Sequence, residues 1–335
     1  MMTKLKPYII GIGVLFALWL IGTLLVSSEV NTETHTTFDA PKEYIYNVIN
    51  DLNLQRKISI MKSDPSFAMK CKNITKGKNS QCSYTSEKYG NGGFEIIQNN
   101  ADTIYIKQNI ESGFEKNYTY VFEPKDSTHT DVHVFIKSKV SKLKSLFKYF
   151  SASSLKSESE EMMKNAKLIV DDRQKLSLYN GFYVKNEAFN TRYFIYNAET
   201  VKGENINSYY TQTLSALYQN AIKAGITPSG PACKLYLGWN DTLNMTTIAA
   251  AIPVLAETNV SFAKSLTIPT QQAAVVEFVG DLRGLGLAHV AIDDYVNDRG
   301  LRINPPVIEE YISDPSVSPN ENTWKTNIIY CVKPR

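Results

Sequence analysis

Glu309 and Tyr311 stand two residues apart in the segment VIEEYISDP, near the end of the chain. In a strand, residues at that spacing share a face, so the carboxylate and the phenol would point the same way. A carboxylate held among aromatic rings suits a cationic, apolar molecule, combining ion pairing with cation–π attraction. Glu310 would face the opposite side. A plainer reading stays open, in which Glu309 is a solvent-facing strand residue paired with Lys234.

The partners of this acid come from an internal repeat. Gly225, Pro231 and Tyr236 in GITPSGPACKLY recur 75 residues later as Gly300, Pro306 and Tyr311 in GLRINPPVIEEY. The helical face upstream shifts by the same amount: Tyr210, Leu214, Leu217 and Ala221 become Leu285, His289, Ile292 and Val296. Each unit reads as an amphipathic helix, a glycine stop, a proline-bearing turn and a strand ending in tyrosine. Lys234 and Tyr236 take the places of Glu309 and Tyr311 in the first copy. Two such modules set face to face build a cleft on a pseudo-twofold axis. Trp239, just past Tyr236, and Trp324, near the final strand, are candidates for its wall, with core or edge packing as the alternative for both. His289 sits on an apolar helix face and reads as a half-buried, satisfied histidine.

Other chemistry is thinly represented. The histidines lack partners at metal spacing, and no metal or cofactor is expected. There is no G-x-S-x-G elbow, phosphate-binding glycine loop or CxxC. A net charge of +3 on 335 residues, without an arginine-rich stripe or helix-turn-helix pattern, argues against nucleic acid as a partner. Cys71 and Cys82 flank Lys76-Gly77 almost symmetrically, so a hairpin there would set them opposite each other. Spacing alone leaves both a disulfide and two separate thiols open.

The elements that must position these residues divide the chain into three. Ile9 to Val26 is a run of 18 residues without a charge, preceded by Lys4 and Lys6. It predicts a transmembrane anchor over residues 1–30, with everything beyond it outside the cytoplasm; a cleaved signal peptide is the rival reading. Residues 31–176 alternate like a strand over 33–39, open a helix at Asp39-Ala40-Pro41, and continue as a series of strands. These are expected at Ser80–Tyr89, Phe94–Gln98, Thr103–Ile110, Lys116–Glu123 and Asp131–Lys137, before a helix from Ser153 to about Gln174. A basic amphipathic stretch, Lys137 to Phe150, leads into that helix. The third region, 177–335, contains the duplication.

The order strand, helix, antiparallel meander, long final helix, with TTFDAPKEYIYNVINDL and YGNGGFEI, resembles the helix-grip fold of the SRPBCC superfamily, which includes START-like domains and polyketide cyclases. That resemblance implies an apolar cavity between sheet and last helix. Residues 177–335, through AGITPSGPACKLY, AAAIPV, IPTQQAAVVEFVGDLRGL, VIEEYISDP and WKTNIIYCV, resemble the GyrI-like small-molecule-binding family, the effector-binding domain of AraC-type and multidrug-responsive regulators. The family's E-x-Y-x-x-D-P pattern places its ligand-contacting glutamate at Glu309. The expected fold class is therefore α+β: an N-terminal transmembrane helix, a helix-grip antiparallel sheet domain, and a duplicated α+β domain with a pseudo-twofold cleft. The expected function is membrane-anchored, non-catalytic binding or sensing of small hydrophobic or cationic amphipathic molecules. Glu309, Tyr311, Tyr236, Trp239 and Trp324 are the expected ligand contacts. The alternative is an extracytoplasmic hydrolase or cyclase using Glu309 in the same cleft.

Overall fold

A computed structural model describes residues 29–72, 74–111, 113–139, 148–240, 242–313 and 319–335. The chain divides into two compact units, residues 1–171 and 172–335.

In the first unit, β1 (Glu29–Phe38), β2 (Ala68–Cys71), β3 (Gln81–Thr85), β4 (Gly92–Asn99), β5 (Thr103–Ile110), β6 (Glu115–Pro124) and β7 (Thr130–Lys139) form one antiparallel sheet in the order β1-β7-β6-β5-β4-β3-β2. Alternation places one set of side chains inward: Val132, Val134 and Ile136 of β7 are buried, as are Tyr118, Tyr120 and Phe122 of β6. Helix α1 (Lys42–Ile49) buries Tyr44, Ile45, Val48 and Ile49, and the short α2 (Gln55–Ile58) adds Ile58. Helix α3 (Lys148–Leu176) covers the same core with Leu155, Met162, Met163, Ala166 and Val170. The helices supply one apolar stripe each and the sheet one apolar face, which is why the elements stack in layers.

Strand β2 was not expected. Its four residues, AMKC, carry no alternation that distinguishes a strand from a loop, and only pairing with β3 makes them one. In that register Cys71 faces Cys82, and a disulfide joins them. The 11-residue separation thus closes as a hairpin, the arrangement in which these two cysteines meet. A groove of about 580 Å³ lies at this edge, lined by Lys70, Lys72, Gln81, Glu95 and Asn109 beside the disulfide.

The membrane-anchored architecture needs correction. Among the described residues no helix is long and apolar enough to cross a membrane. Helix α3 has the length, at 29 residues, but carries Glu158, Glu160, Glu161, Lys164, Lys167, Asp171 and Asp172, too many charges for a hydrocarbon core. The run 9–26 assigned to the transmembrane helix lies outside the described residues, as does most of the basic stretch 137–150. The N-terminal transmembrane helix, the membrane as partner, and the single-pass placement of both domains on the extracytoplasmic side are accordingly dropped.

The second unit begins with a small hairpin, β8 (Leu178–Tyr179) and β9 (Phe182–Tyr183), and is built on an eight-stranded antiparallel sheet. Its strands are β10 (Lys185–Phe189), β11 (Arg192–Lys202), β12 (Cys233–Asn240), β13 (Met245–Val254), β14 (Lys264–Ile268), β15 (Gln271–Val279), β16 (Leu301–Tyr311) and β17 (Lys325–Pro334). The six central strands run β15-β17-β16-β12-β13-β11. Exchanging β11 with β15, β12 with β16 and β13 with β17 gives the same order read from the other end, so the sheet has a pseudo-twofold axis between β12 and β16. Helix α4 (Ile206–Lys223) packs on β11 and β13, and α5 (Leu285–Asp298) on β15, β16 and β17. Leu217 and Ala221 of α4 and their repeat equivalents Ile292 and Val296 of α5 are all buried.

Both helices end on a glycine in the left-handed region, Gly225 at φ 70° and Gly300 at φ 60°. In the first, Ile226 N–H donates to the Ala221 carbonyl at 2.9 Å, satisfying an acceptor at the helix end; in the second, Gly300 N–H donates to Asn297 at 3.2 Å. A Cβ added at either position would touch nothing within 4 Å, so any penalty there is conformational rather than steric packing. Gly225→Ala and Gly300→Ala are each expected to destabilise the second unit by about 1 kcal/mol. Denaturant titration of the two variants checks this, and near-equal losses are the expected outcome for equivalent caps.

Candidate functional site

The axis of the duplication passes through a single residue pair. In the β12–β16 ladder Lys234 lies opposite Glu309, and 234 + 75 = 309, so these are the same position in the two copies. At a self-paired position an undiverged repeat would set like against like. Here the copies carry opposite charges, and Lys234 Nζ lies 3.1 Å from Glu309 Oε2 with both side chains buried.

Side-chain alternation puts Tyr236 and Tyr311 on the same face as this pair, and the two helices bring the remaining partners. Tyr236 donates its hydroxyl to Glu309 Oε1 at 2.8 Å, and Tyr311 donates to Oε2 in a very short contact. His289 of α5 donates from Nε2 to Oε1 at 2.8 Å, and its Nδ1 lies 3.0 Å from the Tyr330 hydroxyl. From α4, Asn207 accepts from Lys234 at 3.3 Å, and the Tyr210 ring lies 5.0 Å from the ammonium. A carboxylate has about four lone-pair sites, and two hydroxyls, an imidazole and an ammonium occupy them.

Burial pushes the Glu309 carboxyl up, but the His289 hydrogen bond, the Lys234 charge and the Tyr311 hydrogen bond outweigh it and hold the group down at about 2. It is a carboxylate at any ordinary pH. Tyr236 and Tyr311 shift the other way: burial first, and then the charge of Glu309, raise both phenols. They therefore stay protonated and keep donating.

Beside this network lies a cavity of about 410 Å³. Tyr236, Trp239, His289 and Tyr330 form its aromatic wall, Ile303 and Val307 its apolar floor, and Asp293 and Thr246 add polar groups. Of the five residues expected to contact a ligand, Tyr236 and Trp239 line it. Glu309, 2% exposed, sits behind the wall, with its charge matched internally. Tyr311 faces α4, its ring 5.6 Å from that of Tyr210. Trp324 is not in the lining; its carbonyl accepts from Gly280 N–H at the turn after β15. The solvent-facing alternative for Glu309 fails on burial, although its pairing with Lys234 is real. Glu310 does face the other side, where it accepts from Arg192 at 2.7 Å and from Asn327 at 3.1 Å.

Asp293, Thr246, Tyr330, Ile303 and Val307 were not singled out from sequence as lining groups, and His289 was read there as a satisfied histidine rather than a ligand contact. A signal existed for Asp293, which follows His289 by four residues and so shares its helix face. Tyr330 and Thr246 lie on strands whose register with β16 and β12 no local pattern announces. A saturated carboxylate held at about 2 also makes a weak proton acceptor, so the geometry does not favour the hydrolase or cyclase alternative, which needs Glu309 as a base.

No family model matches the sequence, and no curated protein does. Among solved structures, the chain is similar to the EcmrR C-terminal domain, at 18% identity and TM-score 0.42, over 46% of this chain and 99% of that one. It is also similar to SAV2435 bound to tetraphenylphosphonium, at 14% identity and TM-score 0.35 over 45% and 93%, and to a hydrolase from Listeria innocua, at 11% and 0.31 over 45% and 91%. At these values the likeness is one of fold outline and carries no argument about ligand or activity.

The depressed Glu309 carboxyl has a stability consequence. Its folded value of about 2 lies below the ordinary 4.5, so its contribution is complete above about pH 4.5 and is lost as pH falls towards 2. The shift corresponds to about 3 kcal/mol. Glu309→Gln is expected to remove this part of the acid transition and, by stranding a buried Lys234, to destabilise the neutral protein by about 3–5 kcal/mol. The double variant Glu309→Gln/Lys234→Met should recover part of that loss, as measured by denaturant titration at pH 7 and pH 3.

Proposed function

We propose that the second unit is a GyrI-like small-molecule-binding domain that captures small hydrophobic or cationic amphipathic molecules without transforming them. The supporting observation is the aromatic-walled cavity against the pseudo-dyad. Its apolar floor suits an apolar body, and its aromatic wall suits a cation, which rings attract over their faces. The buried Lys234–Glu309 network behind the wall acts as a frame: it fixes Tyr236 and His289 by hydrogen bonds, so the wall is formed before a ligand arrives. Binding is assigned to this unit. The first unit has the strand, helix, meander and long-helix order of a helix-grip domain, and side chains from α1, α3 and the sheet pack together between its layers.

Tetraphenylphosphonium, bound in one of the similar structures, serves as a probe. Titrating it into the full chain by calorimetry is expected to give saturable binding with quenching of Trp239 fluorescence. Ile303→Trp, which fills the cavity floor, should weaken binding by about tenfold or more while leaving the thermal midpoint near that of the parent. Undiminished binding in the filled variant would place the ligand elsewhere and remove this reading.

A further inference from the structure

We propose that Asp293, on the cavity-facing side of α5, is the anionic anchor of the site and that it, rather than Glu309, makes the cavity prefer ligands bearing one positive charge on an apolar body, such as protonated arylalkylamines. The inference rests on the small-molecule reading of the same cavity.

Glu309 is poorly placed for the task. It is buried behind Tyr236 and His289, its acceptor sites are occupied, and Lys234 at 3.1 Å matches its charge. A ligand cation could reach it only by displacing one of those donors from a buried carboxylate, which is strongly unfavourable. Asp293 differs in its placement. It is half-buried and lines the cavity, and the described lining contains no other carboxylate and neither lysine nor arginine.

The neighbours of Asp293 hold it in position. Tyr330 hydrogen-bonds to it, and burial, followed by the charges of Asp293 and Glu309, pushes that phenol up, so the hydroxyl remains a donor. Tyr330 in turn meets His289 Nδ1 at 3.0 Å, and His289 Nε2 meets Glu309 at 2.8 Å. A continuous series of close polar contacts therefore runs from the dyad network out to the cavity wall and ends on Asp293. Tyr236, Trp239 and Tyr330 line the same space, and an aromatic ring attracts a cation placed over its face.

The duplication supplies an independent argument. The equivalent of Asp293 in the first copy is Tyr218, since 293 − 75 = 218, and Tyr218 packs against the apolar cluster of α4. The equivalent of His289 is Leu214, in the same cluster. A helix at this place in the fold is thus satisfied by apolar side chains. The acid belongs to one copy and to the side that holds the cavity.

Three probes of one shape separate the outcomes: para-butylbenzylamine, para-butylbenzyl alcohol and para-butylbenzoate, titrated into the full chain by calorimetry at pH 7. In the parent, the amine is expected to bind about tenfold or more tighter than the alcohol, with the benzoate weakest. In Asp293→Asn the amine should fall to the level of the alcohol while alcohol binding holds. Asp293→Glu should retain part of the preference. If amine and alcohol bind the parent equally, or if the preference survives Asp293→Asn, the anchor role is overturned and the cavity reading stands. If none of the three binds the parent, the cavity reading fails and the proposal fails with it. Should Asp293→Asn not fold, the order of the three probes in the parent and in Tyr330→Phe, which keeps the carboxylate, still decides.

Discussion

A lysine and a glutamate facing each other across the pseudo-dyad organise the second unit. Taking two such charges out of water is expensive, and their mutual attraction alone does not recover the loss. The surroundings make it tolerable: every acceptor site of Glu309 is filled, and Lys234 has a carboxylate, an amide oxygen and two aromatic ring faces. Those demands fix much else. Tyr236 and Tyr311 must aim inward, α5 must bring His289 to the strand, and α4 must bring Asn207 and Tyr210. The face of the sheet between the two helices is thereby set by polar satisfaction as much as by apolar packing.

Symmetry explains why the pair stands there, and its breaking explains the cavity. The two copies share glycine stops, buried helix positions and a strand ending in tyrosine. They differ on the helix face that looks toward the axis. Leu214 and Tyr218 close that face on the α4 side with apolar packing; His289 and Asp293 leave it polar on the α5 side. A duplicated scaffold can keep one half for stability while the other acquires a site, because the sheet order and helix caps do not depend on those two residues. Trp239, 47% exposed, stands at the edge of the cavity.

Much of this was legible along the chain. The strands of the first unit follow period-two alternation, as in Val132, Val134 and Ile136. The helices follow their apolar stripes, and the 75-residue repeat locates both modules of the second unit. The failures have separable causes. Strand β2 is too short to show a period. Hydropathy marked 9–26 as a membrane span, while among the described residues no helix is apolar enough for one. Trp324 does not stand in the described cavity lining, and its backbone carbonyl accepts from Gly280 N–H at the turn after β15.

The sequence by itself determined the duplication, the helix stops at Gly225 and Gly300, and the sharing of one strand face by Glu309 and Tyr311. These depend on spacing and local conformation, which a linear chain carries explicitly. Only the tertiary structure decided that Glu309 is sealed by Lys234, His289 and two tyrosines, and that Asp293 and Tyr330 reach the cavity. Those outcomes depend on strand register and on how closely a helix approaches a sheet. Both are settled by the packing of residues 20 to 75 positions apart, and no local pattern encodes them.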